Sequence, residues 1–125
     1  MVILIVDDDP EDIQLFAEAL LEIDESINCV EAYNGLEALK VLKRNSFLPN
    51  YIFLDINMPI VDGFVFLYEF EKFNELVRNK CKVIILSSSD NKRDIDKIVN
   101  NNHVIKFITK PLTEIALDEI KLNNM

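Results

Sequence analysis

Asp7-Asp8-Asp9 directly follows an apolar run from Val2 to Val6, and Asp55 directly follows a second run at 51–54. Ser87-Ser88-Ser89 closes another such run, and Thr109-Lys110-Pro111 follows the stretch 104–108, apolar but for Lys106. Carboxylates held a few ångströms apart repel, so such a group takes up a proton or binds a cation. Aspartate oxygens suit a hard ion, and Mg²⁺ in particular takes one or two carboxylates, keeps waters and accepts phosphate oxygens. An ammonium beside such an ion neutralises the equatorial oxygens of a phosphoryl group in transfer, and a hydroxyl can donate to another. A carboxylate can itself be the nucleophile, giving an aspartyl phosphate. Asp55 stands alone at the end of its strand and is the candidate nucleophile, with Asp7 and Asp8 placed to hold the metal from the side.

These residues share one rim only if the chain alternates strand and helix, and its pattern does. Residues 2–6 are continuously apolar, as in a strand covered on both faces. Pro10 suits the first turn of a helix with Asp9 as its cap, and Ile13, Phe16, Leu20 and Ile23 keep helical spacing to about Asp24. Residues 27–32 make a shorter, more polar strand suited to a sheet edge. Asn34-Gly35 punctuates, and Leu36, Leu39 and Leu42 mark a second helix fading at Arg44. The strand at 51–54 follows; then Asp62-Gly63 offers a cap and turn into a helix carrying Phe66, Phe70 and Phe73. A strand at 82–86, a helix striped by Ile95, Ile98 and Val99, a strand at 104–108 and a last helix capped by Thr113 complete the alternation.

Five βα units in series imply an α/β fold, a doubly wound parallel sheet with right-handed crossovers. Sheets of this size take the order 2-1-3-4-5, with the ligand crevice at the switch point between strands 1 and 3. That rule brings Asp7, Asp8 and Asp55 together, with Ser87 and Lys110 on the same edge.

Composition narrows the function. The 125 residues make one domain, and 50% apolar content is enough for a core. A net charge of −9 argues against nucleic acid, whose phosphates need clustered Lys and Arg. No apolar run approaches a membrane span, and the N-terminus lacks a basic leader, so a cytoplasmic protein is expected. Cys29 and Cys81, far apart and outside any C-x-x-C, read as buried reduced thiols.

The set V-D-D, L-D-I-N-M-P-x-x-D-G, a hydroxyl after strand 4 and T-K-P after strand 5 closely resembles the receiver domain of two-component response regulators. The resemblance spans the chain and implies a flavodoxin-like (βα)5 fold, single-domain and CheY-like. It implies Asp55 as phosphoacceptor, Asp8 as direct and Asp7 as water-mediated ligand of Mg²⁺, and the backbone carbonyl of Asn57 as a further ligand. It also implies Ser87 as switch hydroxyl with Ser88 following it at the phosphoryl group, Lys110 as phosphate-binding lysine, and a cis Lys110-Pro111 bond. Phe107 stands where the family often has Tyr. The implied partners are a sensor histidine kinase or histidine phosphotransfer protein upstream, and downstream a protein target or a second copy. The downstream partner would dock on the fourth helix, fifth strand and fifth helix of the alternation. Residues 1–125 are expected to be a single receiver with no output domain, catalysing only its own phosphorylation and dephosphorylation.

Three other readings compete. A haloacid-dehalogenase-type phosphohydrolase would use Asp7 and Asp9 as D-x-D, but Glu11 stands where its motif continues with Thr or Val. A calcium loop from Asp7, Asp9, Glu11 and Glu18 fails on Asp12, which occupies the position needing Gly. A receiver fold acting without phosphorylation is at odds with the retention of Asp8, Asp55, Ser87 and Lys110 together. His103 reads as an exposed loop residue.

Overall fold

A computed structural model describes residues 1–44, 48–56, 62–87 and 101–109. In order these form β1 (Val2–Val6), α1 (Pro10–Ile23), β2 (Asn28–Ala32), α2 (Gly35–Arg44), β3 (Tyr51–Asp55), α3 (Gly63–Phe70), α4 (Glu75–Lys80), β4 (Lys82–Ser87) and β5 (Val104–Thr109). The strands pair in parallel in the order β2-β1-β3-β4-β5, the order expected for a doubly wound sheet of this size, with the more polar β2 at an edge.

Side-chain alternation divides the core into two layers. On one face of the sheet Ile3, Ile5, Tyr51, Phe53, Ile84 and Leu86 pack with Ile13, Phe16 and Leu20 of α1. Phe16 meets Phe53 edge-on at 4.6 Å between centroids. On the other face Leu4, Val6, Ile52, Leu54, Val83 and Ile85 pack with Leu39 and Leu42 of α2 and with Phe66 and Phe70 of α3. Residues of β3 are buried from end to end, which is why the sequence there is apolar without alternation. Among the described residues no helix is long and apolar enough to cross a membrane.

Two expectations need correction. The helix beginning at Gly63 ends at Phe70, so Phe73 lies in a turn and a separate short helix, α4, follows. Tighter bonds end the first helix: Lys72 N–H donates to Glu69 O at 3.1 Å and Phe73 N–H to Phe70 O at 3.1 Å. The Asn74 side chain then accepts from Val77 N–H at 3.1 Å and starts α4. His103, expected to be exposed, is half-buried. Its ring meets Phe70 edge-on at 5.5 Å, and its Nε2 lies 3.5 Å from Glu71 Oε2. The aromatic surface of α3 gives the imidazole more than water does, while its polar edge keeps a carboxylate partner. Of the thiols, Cys81 is buried and Cys29 half-buried, and both are free. Burial pushes the Cys81 thiol up to about 11 and raises that of Cys29, helped there by Glu31.

Candidate acidic site at the switch point

Strand register builds the site. Val6 pairs with Leu54, so the next residues, Asp7 and Asp55, stand level at the carboxyl ends of neighbouring strands. Val6 also pairs with Ala32 of β2, and Asp7 N–H donates to Ala32 O at 3.0 Å, fixing the chain as it leaves the sheet. By parity Asp55 lies on the same face as Phe53, the layer covered by α1. Asp7 and Asp55 are 2% and 6% exposed, whereas Asp8 is exposed to solvent. One carboxylate oxygen from each of the three falls within 4.8 Å of the others.

Local bonds hold the acids apart in role. Asp9 N–H donates to Asp7 Oδ1 at 3.0 Å, which aims the Asp7 carboxylate. Asp9 spends its own carboxylate on Glu11 N–H at 2.9 Å as the N-cap of α1, with Pro10 in the first turn, as its sequence position predicts. That use takes Asp9 away from a D-x-D pair. Glu18, needed by the calcium-loop reading, lies along α1 and accepts from Gln14 Nε2 at 3.3 Å.

On the far side of the crevice, Asp55 pairs with Leu86, which places the Ser87 backbone one step beyond at the end of β4. Ser87 in turn pairs with Thr109, the residue before Lys110. Phe107 pairs with Ile85 and is partly buried against the layer of α2 and α3. Asn57, Ser88, Lys110 and Pro111 lie outside the described residues. So do the helices expected around Ile98 and after Thr113.

Sequence reasoning took Gly63 only as a turn residue. Its N–H donates to Ile56 O at 2.9 Å, so the start of α3 is tied to the residue after Asp55. Asp62, the cap of α3, accepts from Val65 N–H at 2.9 Å. The D-G pair was legible as cap and turn; the close approach to β3 had no signal of its own.

The donor set is three carboxylate oxygens, two buried and one open to water. That is the chemistry of a hard divalent cation which keeps part of its hydration shell.

Comparison with known proteins agrees with this geometry. Over 126 residues the chain is 32% identical to the sensor histidine kinase CheAY of Helicobacter pylori, covering 97% of this chain and 15% of that protein. Over 125 residues it is 30% identical to a protein-glutamate methylesterase/protein-glutamine glutaminase of Halalkalibacterium halodurans, covering 98% of this chain and 34% of that protein. The chain thus spans well under half of these relatives. Two solved structures match over nearly their whole length. A two-component response regulator from Legionella pneumophila superposes with a TM-score of 0.86 at 25% identity, covering 100% of this chain and 99% of that one. The response regulator TrrA of Thermotoga maritima, solved with Mg²⁺-BeF, superposes with a TM-score of 0.77 at 27% identity, covering 99% and 98%. The family model for the response regulator receiver domain matches residues 3–121, and the chain belongs to that family.

Proposed function

We propose that this chain is a phosphorylation-switched signalling receiver in which Asp55 accepts a phosphoryl group from a histidine kinase or a histidine phosphotransfer protein. The observation that carries the reading is the meeting of the Asp7, Asp8 and Asp55 carboxylates at the carboxyl ends of β1 and β3. Receiver domains as a class use an acidic site of this kind for Mg²⁺, and a non-enzymatic signalling module fits the fold.

Asp7, Asp8 and Asp55 would hold Mg²⁺, with the backbone carbonyl of Asn57 as a further donor. The ion, when bound, supplies positive charge against the phosphoryl oxygens. Asp55 attacks phosphorus with a carboxylate oxygen. The phosphorus–nitrogen bond of the donor phosphohistidine breaks, its electron pair returns to the imidazole, and an oxygen–phosphorus bond forms on Asp55. Lys110 brings an ammonium to the phosphoryl group from the end of β5. Ser87, followed by Ser88, brings hydroxyls from the end of β4.

The signal leaves through Phe107. A ring that is only partly buried can fill space as Ser87 moves toward a phosphoryl oxygen, and phosphate biases the two packings because it bonds the serine in one of them. The affected surface is the stretch 91–101, β5 and the segment after Thr113, where a downstream protein or a second copy would dock.

Acetyl phosphate with Mg²⁺ is expected to label the protein once per chain, with slow loss and no sustained turnover of an aryl phosphate. Many turnovers per chain would make it a phosphohydrolase and overturn the receiver reading.

A further inference from the structure

A cleft of about 140 Å³ opens between α2 and the end of α3, lined by Leu39, Lys43, Glu69, Lys72 and Phe73. An apolar cavity of roughly this size, about 150 Å³, is enough to hold a benzene ring. The floor is apolar. Leu39 is buried, and Phe73 packs partly buried against the layer under α2 and α3. The rim is charged: Lys43 stands in the last turn of α2, and Lys72 Nζ lies 3.3 Å from Glu69 Oε1 and 4.5 Å from the centre of the Tyr68 ring.

Charge says what the cleft takes. The chain carries a net charge of −9, yet this rim sets Lys43 and Lys72 against Glu69 alone. Other acids of the same region are turned elsewhere: Glu37 accepts from Tyr33 N–H at 2.6 Å, and Glu71 faces His103. The Lys72–Glu69 pair is exposed, so Lys72 exchanges it readily for an incoming carboxylate. The dipole of α2 accounts for a lysine in its last turn, but not for an uncovered apolar floor beside it.

The cleft is also the end of a longer seam. Leu36 precedes Leu39 by three residues and Val65 precedes Glu69 by four, so each lies one turn back along the same helix side. They are 43% and 45% exposed. Apolar surface running on from the cleft in this way outreaches a small molecule and suits a segment of polypeptide. Both helices return the chain from the carboxyl to the amino ends of parallel strands, so the cleft lies at the opposite end of the sheet from Asp7, Asp8 and Asp55.

We propose that the seam between α2 and α3 is a docking surface for an acidic segment of a partner protein, which sets one aromatic side chain between Leu39 and Phe73 and carboxylates against Lys43 and Lys72. The cleft shares no residue with the acidic site, so this docking does not depend on the state of Asp55.

The test titrates the protein with the peptide acetyl-Glu-Glu-Phe-Glu-Glu-amide and follows backbone amides by two-dimensional NMR. The peptide is expected to shift the amides of Leu39, Lys43, Glu69 and Phe73 to saturation. Replacing its central Phe by Ala is expected to weaken binding about fivefold or more, through the lost apolar burial. Lys43→Glu is expected to weaken binding by about fivefold as well, since attraction becomes repulsion, while Lys80→Glu, an exposed charge outside the lining, stays within about twofold of wild type. Absence of shifts at the four amides overturns the proposal, as does equal binding by the Lys43→Glu and Lys80→Glu variants. Phenylacetate that saturates the same amides as tightly as the peptide makes the cleft a small-molecule site and overturns it too. So do shifts at those amides on diluting the protein alone, which would make a second copy the occupant.

Discussion

At the amino end of the sheet Asn50 donates its N–H to Val2 O at 2.8 Å, accepts from Val2 N–H at its Oδ1 at 3.0 Å, and accepts from Lys82 N–H at its carbonyl at 3.1 Å. At the carboxyl end, on the same strands, Asp7 and Asp55 bring two buried carboxylates side by side and Asp8 adds a third at the surface. Both ends are polar, yet they use polarity in opposite ways. Asn50 is neutral, and its polar atoms are spent aligning β1, β3 and β4. The acids concentrate like charge, which costs folding energy and becomes favourable when a cation or a phosphoryl-bearing partner arrives. A polar cluster that only stitches backbone is structural; one that gathers like charge where strands end is built for a ligand.

The contrast can be broken from either side. Asn50→Ala leaves the Val2 N–H without its side-chain acceptor, and a lost bond of this kind costs about 1–2 kcal/mol. Urea unfolding is expected to show that loss with Mg²⁺ affinity unchanged; a matching fall in Mg²⁺ affinity would mean the two ends are not separable.

Asp8→Ala acts in the opposite sense and more weakly. Removing one of three clustered charges is expected to stabilise the metal-free protein by up to about 1 kcal/mol, trimmed by solvent because Asp8 is exposed, while Mg²⁺ affinity collapses. Unchanged Mg²⁺ binding in that variant would put the cation elsewhere.

Much of this was legible in the chain because two strong signals agreed. Continuous apolar runs marked strands covered on both faces, and each ended in the polar residue that reaches the rim. The order 2-1-3-4-5, common for doubly wound sheets of this size, sets Asp7 beside Asp55, and the structure has that order. The break after Phe70 was harder, because Phe66, Phe70 and Phe73 keep helical spacing straight through a turn. The signal for α4 lay in Asn74 as cap, Glu75 in the first turn, and Arg78 and Lys80 in the last. The burial of His103 had no local signature, since it depends on Phe70, brought near only by the fold. The close approach of Gly63 to Ile56 was hidden for the same reason: an absent side chain leaves no pattern, only a space that tertiary structure fills.

The central claim turns on one oxygen atom of one residue. Intact-mass spectrometry of wild type and Asp55→Asn, each incubated with acetyl phosphate and Mg²⁺, tests it directly. The account predicts that wild type gains the mass of a single phosphoryl group while Asp55→Asn stays folded by circular dichroism and gains none. A phosphoryl adduct that persists on Asp55→Asn would contradict it.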